Sequence, residues 1–470
     1  MVFLFLSLAF LFPFQQFQQL GLALLAFVVF SATMVKIEWG VYALGFLSFF
    51  HGWDIAFSDY SFTKNLALLN SLNGPLIDFV AVVLFPCALL ALLIKRLPKK
   101  YSWFHLFFPA LLYACFLAVA WFSAQQASVL DPSQSIKYFG RPLVFVFLAF
   151  VLLPHFFIHS EKIFHRFLQI WFWVGVAIAL FGFSSLFVVQ QSGWLRIQPY
   201  GIGSFAPLGV NHNLIAEALI ALIPIGFWWF LEQKKKKEQA QGGEYAKHFS
   251  VYFFGTGFMI LVALGTLSRA AWVSFFVQTV ALLFLFREQR TWIFQKVRKF
   301  AEVFFLLGAI FLLYMGFFLN SNVVSSSNSS RVEVTKIVAF FVERSPWIGF
   351  GPGSFVPLLQ EVSVHTVEFG EALDAHGFIQ KILVEEGVIG FVLFGLFLLS
   401  VLGVLFWSQH KHGDALSKVL FVMVLGAIVF QLFNTSYFNS VMWMPIGIAL
   451  VWVGLRRVSG DESGNMSEKL

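Results

Sequence analysis

The sequence predicts an all-α fold, a polytopic membrane bundle of 12 to 14 transmembrane helices of the kind that carries one long loop. Three observations carry this. Of the 470 residues 59% are hydrophobic and only 12% charged, with a mean hydropathy of +0.81. Soluble domains carry about 25% charged residues, so a bilayer is the better solvent for this chain. Apolar runs recur from end to end, and Lys and Arg gather in alternate connections between them.

In chain order the apolar segments span 2–14, 18–34, 39–51, 76–94, 104–122, 139–158, 168–189, 210–231, 249–267, 270–287, 300–319, 380–407, 418–435 and 440–455. A crossing needs roughly 20 residues, so the first and third are short and suit tilted, re-entrant or interfacial helices. The start "MVFLFLSLAFLFPF" lacks a basic leader and a small-residue cleavage site, and reads as a retained helix. With the N-terminus inside, 22 of the 31 Lys and Arg fall on the inner side, including the run Lys234–Lys237 and the stretch Arg287 to Lys299. By the positive-inside rule both termini are then cytoplasmic. The net charge of +7 becomes a topology signal, and nucleic acid is excluded as a partner. The two cysteines, Cys87 and Cys115, lie in apolar segments with no disulfide or metal spacing. No internal repeat is visible. Residues 458–470 read as a flexible cytoplasmic tail on a single membrane domain.

The outer connections are short except for residues 320–379. That loop opens with "NSNVVSSSNSS", a flexible low-complexity stretch. Next, "RVEVTKIVAFFVER" sets Val334, Ile337, Val338 and Phe341 at helical spacing. "SPWIGFGPGSF" stops that helix with two prolines and three glycines; with no Lys-Ser/Thr after it, it is a turn rather than a phosphate loop. A second short amphipathic piece, "VPLLQEVSVHTVEF", follows. "LDAHGFIQK" opens the next span with Asp374 as N-cap, leading into one long helix. A long ordered loop in a compact protein is more often functional than idle.

Polar groups converge on this outer face. Arg196 is followed by Asn211, His212 and Asn213 at the mouth of a span. Arg269 lies in the hairpin "LGTLSRAAW", and "SSRVEV" puts Arg331 at the start of the loop helix. Near-membrane charges are costly and face protein interiors, which makes each a candidate site. Each has a plainer alternative: snorkelling for Arg269, a surface charge for Arg331, helix capping for Asn211, His212 and Asn213. Lys137 and Arg141 read as interfacial anchors. Guanidinium forks suit pyrophosphate oxygens, which they grip bidentately.

Four stretches, "LRIQPYGIGSFAPLGVNHNLIAEALIALIP", "LGTLSRAAW", "SSRVEVTKIVAFFVERSPWIGFGPGSF" and "AHGFIQKILVEEGVIG", resemble the O-antigen ligase/polymerase superfamily over residues 195–395. The resemblance implies a GT-C-type, metal-independent glycosyltransferase without a cofactor in the bacterial inner membrane. It would take a glycan from undecaprenyl pyrophosphate on the periplasmic face and join it to an acceptor, lipid A-core or another glycan. It also implies that Arg269, Arg331 and Arg196 hold the pyrophosphate and that His376 activates the acceptor hydroxyl. Where the family usually has Asn after that His, this chain has Gly377. A His in the first turn of a helix is kept neutral by the positive dipole end and can serve as base. His212, Asn213 and Glu386 are further substrate-contact candidates. Polymerisation of lipid-linked repeats and transfer to a protein hydroxyl share the donor and stay open. So do a lipid-linked glycan transporter and a metal-dependent enzyme using Asp54 and Asp59.

Overall fold

The computed structural model describes residues 15–50, 52–56, 73–94, 103–127, 129–130, 132–189, 195–201, 206–239, 244–287, 290, 309, 313–362 and 374–467. Segment 2–14, Asp59, most of 300–319 and the piece 363–373 lie outside them. The fold is all-α. Helices α1 (Gln15–Val35) and α2 (Glu38–Leu47) precede a two-stranded antiparallel ribbon, Asp54–Ala56 with Asn73–Pro75. Then come α3 (Leu76–Leu93), α4 (Phe104–Gln125) and α5 (Pro132–Phe139). The last continues through π-helical turns, Gly140–Phe145 and Leu148–Leu152, into α6 (Leu153–Phe157). After these stand α7 (Glu161–Val188), α8 (His212–Gln239), α9 (Glu244–Gly265) and α10 (Arg269–Leu285). The long loop holds α11 (Asn322–Arg344) and α12 (Phe355–Glu361). The chain finishes with α13 (Phe378–Glu385), α14 (Gly387–His412), α15 (Ala415–Gln431) and α16 (Ser440–Ser467).

Among the described residues six helices are long and apolar enough to cross a membrane, and four more apolar helices are shorter. The segment 39–51 forms only the ten-residue α2. Large apolar side chains face outward, among them Phe104, Phe107, Phe187 and Phe276 at 66–78% exposure. A protein in water would expose a patch of this kind at great cost, whereas lipid tails accept it. Helix α8 occupies the centre: 83% of its apolar window is buried, against 33–44% in the other five long helices. Helices α7, α9 and α15 surround it. Side-chain caps start three of the helices, with Ser160, Ser268 and Asp414 accepting the N–H three residues on. A packed aromatic group, Tyr113, Phe147, Phe397 and Trp443, ties α4, the π-helical stretch, α14 and α16 together.

The loop has its own small core. Val334, Ile337, Val338 and Phe341 of α11 are buried against Phe355, Leu358 and Leu359 of α12 and Val384 of α13, the face that the sequence spacing predicts. Two expectations fail here. The serine-rich stretch is helical from Asn322, so Arg331 lies well inside α11 rather than at its start. Within it Ser329 donates to Ser325 O, and the side chains of Ser327 and Asn328 accept from Arg269.

The single long helix after the loop also fails, because it breaks between α13 and α14. Glu386 leaves the helical region (φ −118°, ψ 1°) and Gly387 takes φ +68°. The glycine-rich loop fills the break. Phe350 N and Gly351 N donate to Val384 O and Glu385 O (2.9 Å each), while Pro346 O and Trp347 O accept from Val388 N (2.8 Å) and Ile389 N (3.2 Å). Carbonyls orphaned at the end of one helix and N–H groups orphaned at the start of the next are thus satisfied by one loop. A Cβ on Gly349 would lie 2.5 Å from Glu385 O, and one on Gly387 2.4 Å from Trp347 O, so both glycines are needed for close approach as well as for positive φ. Ser123 of α4 donates to Glu385 O (2.8 Å) and Ser135 of α5 to Pro352 O (3.0 Å), which fastens the loop to the bundle.

Candidate functional site

The hairpin between α9 and α10 is built by short polar residues. Thr266 Oγ1 bonds to Ala263 O (2.6 Å) and accepts from Ser268 N (3.3 Å). Leu267 turns the chain at φ +56°, a region that side chains with a Cβ seldom adopt. Its buried side chain packs with Phe318 and Val324, which holds it there. Ser268 caps α10 and donates to Asn213 Oδ1 (2.7 Å), and Ile197 N donates to Gly265 O (2.9 Å). These two bonds bring the Arg196 segment and the head of α8 onto the hairpin.

Arg269 is the first residue of α10 and is half-buried. It donates through Nη1 to Asn328 Oδ1 and through Nη2 to Ser327 Oγ (3.0 Å), both on α11. One turn further along α11 stands Arg331. Its buried Nε has no hydrogen-bond partner among the described residues, and burial followed by the nearby Arg269 guanidinium pushes Arg331 below its ordinary arginine value. Two like charges are therefore held close together, and neither is paired with a carboxylate among the described residues. Arg196, itself lowered by burial, is the charged neighbour of the His212 ring and of Tyr314, whose hydroxyl donates to Leu195 O (2.9 Å). Asn211, just before α8, accepts from Asn213 N (2.9 Å), the capping role that was one of its readings.

His376 lies one residue before Gly377, the N-cap of α13, and so outside the first helical turn. The dipole argument for its neutrality does not apply there. Its backbone N–H donates to Gln380 Oε1 (3.3 Å), Gln380 Nε2 donates to Thr335 Oγ1 (2.9 Å), and Thr335 Oγ1 donates to Arg331 O (2.8 Å). A chain of hydrogen bonds thus links the His376 backbone to the turn of α11 that bears Arg331. Gly377 has extended backbone, and a Cβ on it would stand 2.3 Å from Leu432 O, so close approach of α15 requires glycine at this position.

Asp374 does not cap α13. It accepts from Ala375 N (2.9 Å) and pairs with Lys381 Nζ (2.7 Å), which lies 3.7 Å from Glu385 Oε1. Glu385 Oε1 also accepts from Phe355 N (3.2 Å). Burial disfavours the Lys381 ammonium, but Glu385 and Asp374 outweigh it and raise Lys381 above its ordinary value. Glu386 is fully buried and neither carboxyl oxygen has a hydrogen-bond partner among the described residues. Burial and the adjacent Glu385 hold it well above the usual carboxylate range, as a neutral acid. As placed, Glu386 is a buried group at the break and not a lining of the arginine face. Arg141 pairs with Asp78 at 2.8 Å.

Sequence reading passed over Glu217. It lies one helical turn after Asn213 on α8, is 3% exposed, and accepts from Gln431 Nε2 and Asn434 Nδ2 (3.2 Å) on and beyond α15. The signal was available as a carboxylate inside an apolar run, four residues after Asn213 and so on the same helix face.

These features define a class: a polytopic helical membrane protein whose polar, arginine-bearing surface is assembled at one end of the bundle by a folded loop. Residues 254–395, which contain Arg269, Arg331 and His376, match a family model described as O-antigen ligase. This match supports a likeness to the O-antigen ligase/polymerase superfamily and glycosyl transfer of that general kind. Arg196, His212 and Asn213 fall before the matched region. No curated protein matches the chain.

Proposed function

We propose that this protein transfers a glycan from undecaprenyl pyrophosphate to an acceptor hydroxyl at the periplasmic face of the inner membrane, joining O-antigen to lipid A-core without a metal ion. The observation that carries the reading is the pair Arg269 and Arg331, held side by side with no carboxylate partner among the described residues. Bringing two guanidinium groups together costs free energy, and an anion between them would repay it. A pyrophosphate offers oxygens to both forks.

In the reaction the acceptor oxygen bonds to the anomeric carbon as the bond from that carbon to the pyrophosphate oxygen breaks. The electron pair leaves on undecaprenyl pyrophosphate, where Arg269 and Arg331 stabilise the developing charge. Arg196, beside His212, serves the same anion or the glycan next to it. The hydroxyl proton passes to His376 as general base. The hydrogen bonds through Gln380 and Thr335, which tie the His376 backbone to the Arg331 turn, support this role. The test is transfer by purified protein in proteoliposomes holding a defined lipid-linked donor and lipid A-core. Ligation predicts capped acceptor, and polymerisation would instead lengthen the lipid-linked chain. Activity that survives EDTA supports a metal-free reaction.

A further inference from the structure

The end of the bundle opposite Arg269 holds a cavity of about 1210 Å³. It is lined by the far ends of α8 and α10, the end of α14, the starts of α7 and α15, and the middle of α16. At 1.5 Å per residue along α8, Lys234 is about 33 Å from His212, so the cavity is a separate place from the arginine surface. Its lining has a definite charge pattern. Three carboxylates contribute, and each is engaged by the protein itself. Glu161 pairs with Arg456 (3.2 Å), Glu232 with Lys236 (3.7 Å), and Asp414 caps α15 through Ser417 and lies 3.9 Å from Arg456.

Three cations of the same lining have no carboxylate among the described residues: Lys235, Arg287 and Lys418. Arg287 and Lys418 lie over ring faces, those of Phe284 (5.2 Å) and Phe286 (5.4 Å). Trp229 also lines the cavity, and its buried indole N–H has no acceptor among the described residues. Unpaired cations, an unpaired indole donor and apolar aromatic walls at the end of a transmembrane bundle describe a receptor for an amphiphilic anion. Basic pockets between helices at a membrane surface take anionic lipid headgroups in this way.

We infer that this cavity binds the phosphodiester headgroup of an anionic phospholipid from the leaflet at that end of the bundle. Lys235, Arg287 and Lys418 meet the phosphate, and the Trp228 and Trp229 walls meet the glycerol and upper acyl carbons. The site is distinct from the glycosyl-transfer surface and does not depend on how that surface is read.

The test uses the full chain in nanodiscs of equal parts phosphatidylcholine and phosphatidylglycerol, with retained lipid read by native mass spectrometry. Wild type is expected to keep phosphatidylglycerol in preference to phosphatidylcholine. Lys235→Gln, an exposed position that leaves the fold alone, lowers that preference about fivefold, and Lys235→Gln/Arg287→Gln/Lys418→Gln abolishes it. Lys336→Gln, at the arginine end, leaves it unchanged. Equal retention of both lipids by wild type, or full preference in a Lys235→Gln protein of normal helicity, overturns the proposal. So does displacement of the lipid by glycerol 3-phosphate in solution, which would assign the cavity to a soluble phosphate ester.

Discussion

At Arg269 a planar fork is spread between Ser327 and Asn328, and a point charge could not replace it. Arg269→Ala is expected to lower kcat for glycan transfer by about 100-fold or more, the usual cost of one donor to a developing anion. Arg269→Lys should recover only a small part of this. His376→Ala is expected to lower kcat by about 100-fold or more as well, with donor affinity nearly unchanged, because its proposed role is towards the acceptor. A donor-binding measurement beside the rate separates the two residues. Gly377 gives a structural prediction of its own. Gly377→Asn introduces the residue the family usually carries, yet it meets Leu432 O, and thermal unfolding should show a loss of about 1–3 kcal/mol. A side chain at this position crowds the Leu432 carbonyl just beyond α15.

At the scale of elements, the junction of α13, α14 and the glycine-rich loop organises the site. It anchors the loop whose other arm, α11, brings Arg331 to Arg269. Gly387→Ala forces a side chain into a positive-φ position against Trp347 O, and it should both destabilise the protein by more than about 1 kcal/mol and lower transfer by displacing α11. Glu386 makes the same junction sensitive to pH. Its carboxyl is raised in the folded chain, so the folded state holds a proton that the unfolded state releases above the ordinary carboxylate pKa. Stability from this group is greatest below that ordinary value and falls as pH rises towards the folded one. Glu386→Gln removes the loss: the variant should match wild type near about pH 4 and unfold at higher temperature than wild type near about pH 8. Equal melting differences at both values would contradict a neutral Glu386.

Over the whole molecule, the helical membrane class was legible because bilayer burial demands long apolar runs, and those survive in any order of packing. The face of α11 was legible from the spacing of Val334, Ile337, Val338 and Phe341. Arg269 and Arg331 could be picked out as charges near the membrane, but not their closeness, since that depends on a helical serine stretch laid across the hairpin. The break before Gly387 was hidden for a related reason: its backbone partners, Pro346 to Gly351, stand some forty residues earlier, and local spacing through 376–390 favours a continuous helix. For Glu217 only the partners were hidden by distance, Gln431 and Asn434 being on and beyond α15, while the carboxylate itself stands out in an apolar run. What local pattern records is which residues face a core; which polar groups meet is settled by tertiary contacts. The measurement that bears most directly on the central claim is transfer from a defined undecaprenyl-pyrophosphate glycan to lipid A-core in proteoliposomes containing EDTA, with wild type and Arg269→Ala side by side. The account predicts capped lipid A-core from wild type and about 100-fold less or none from the variant; equal product from both, or none from wild type until a divalent metal is restored, would contradict it.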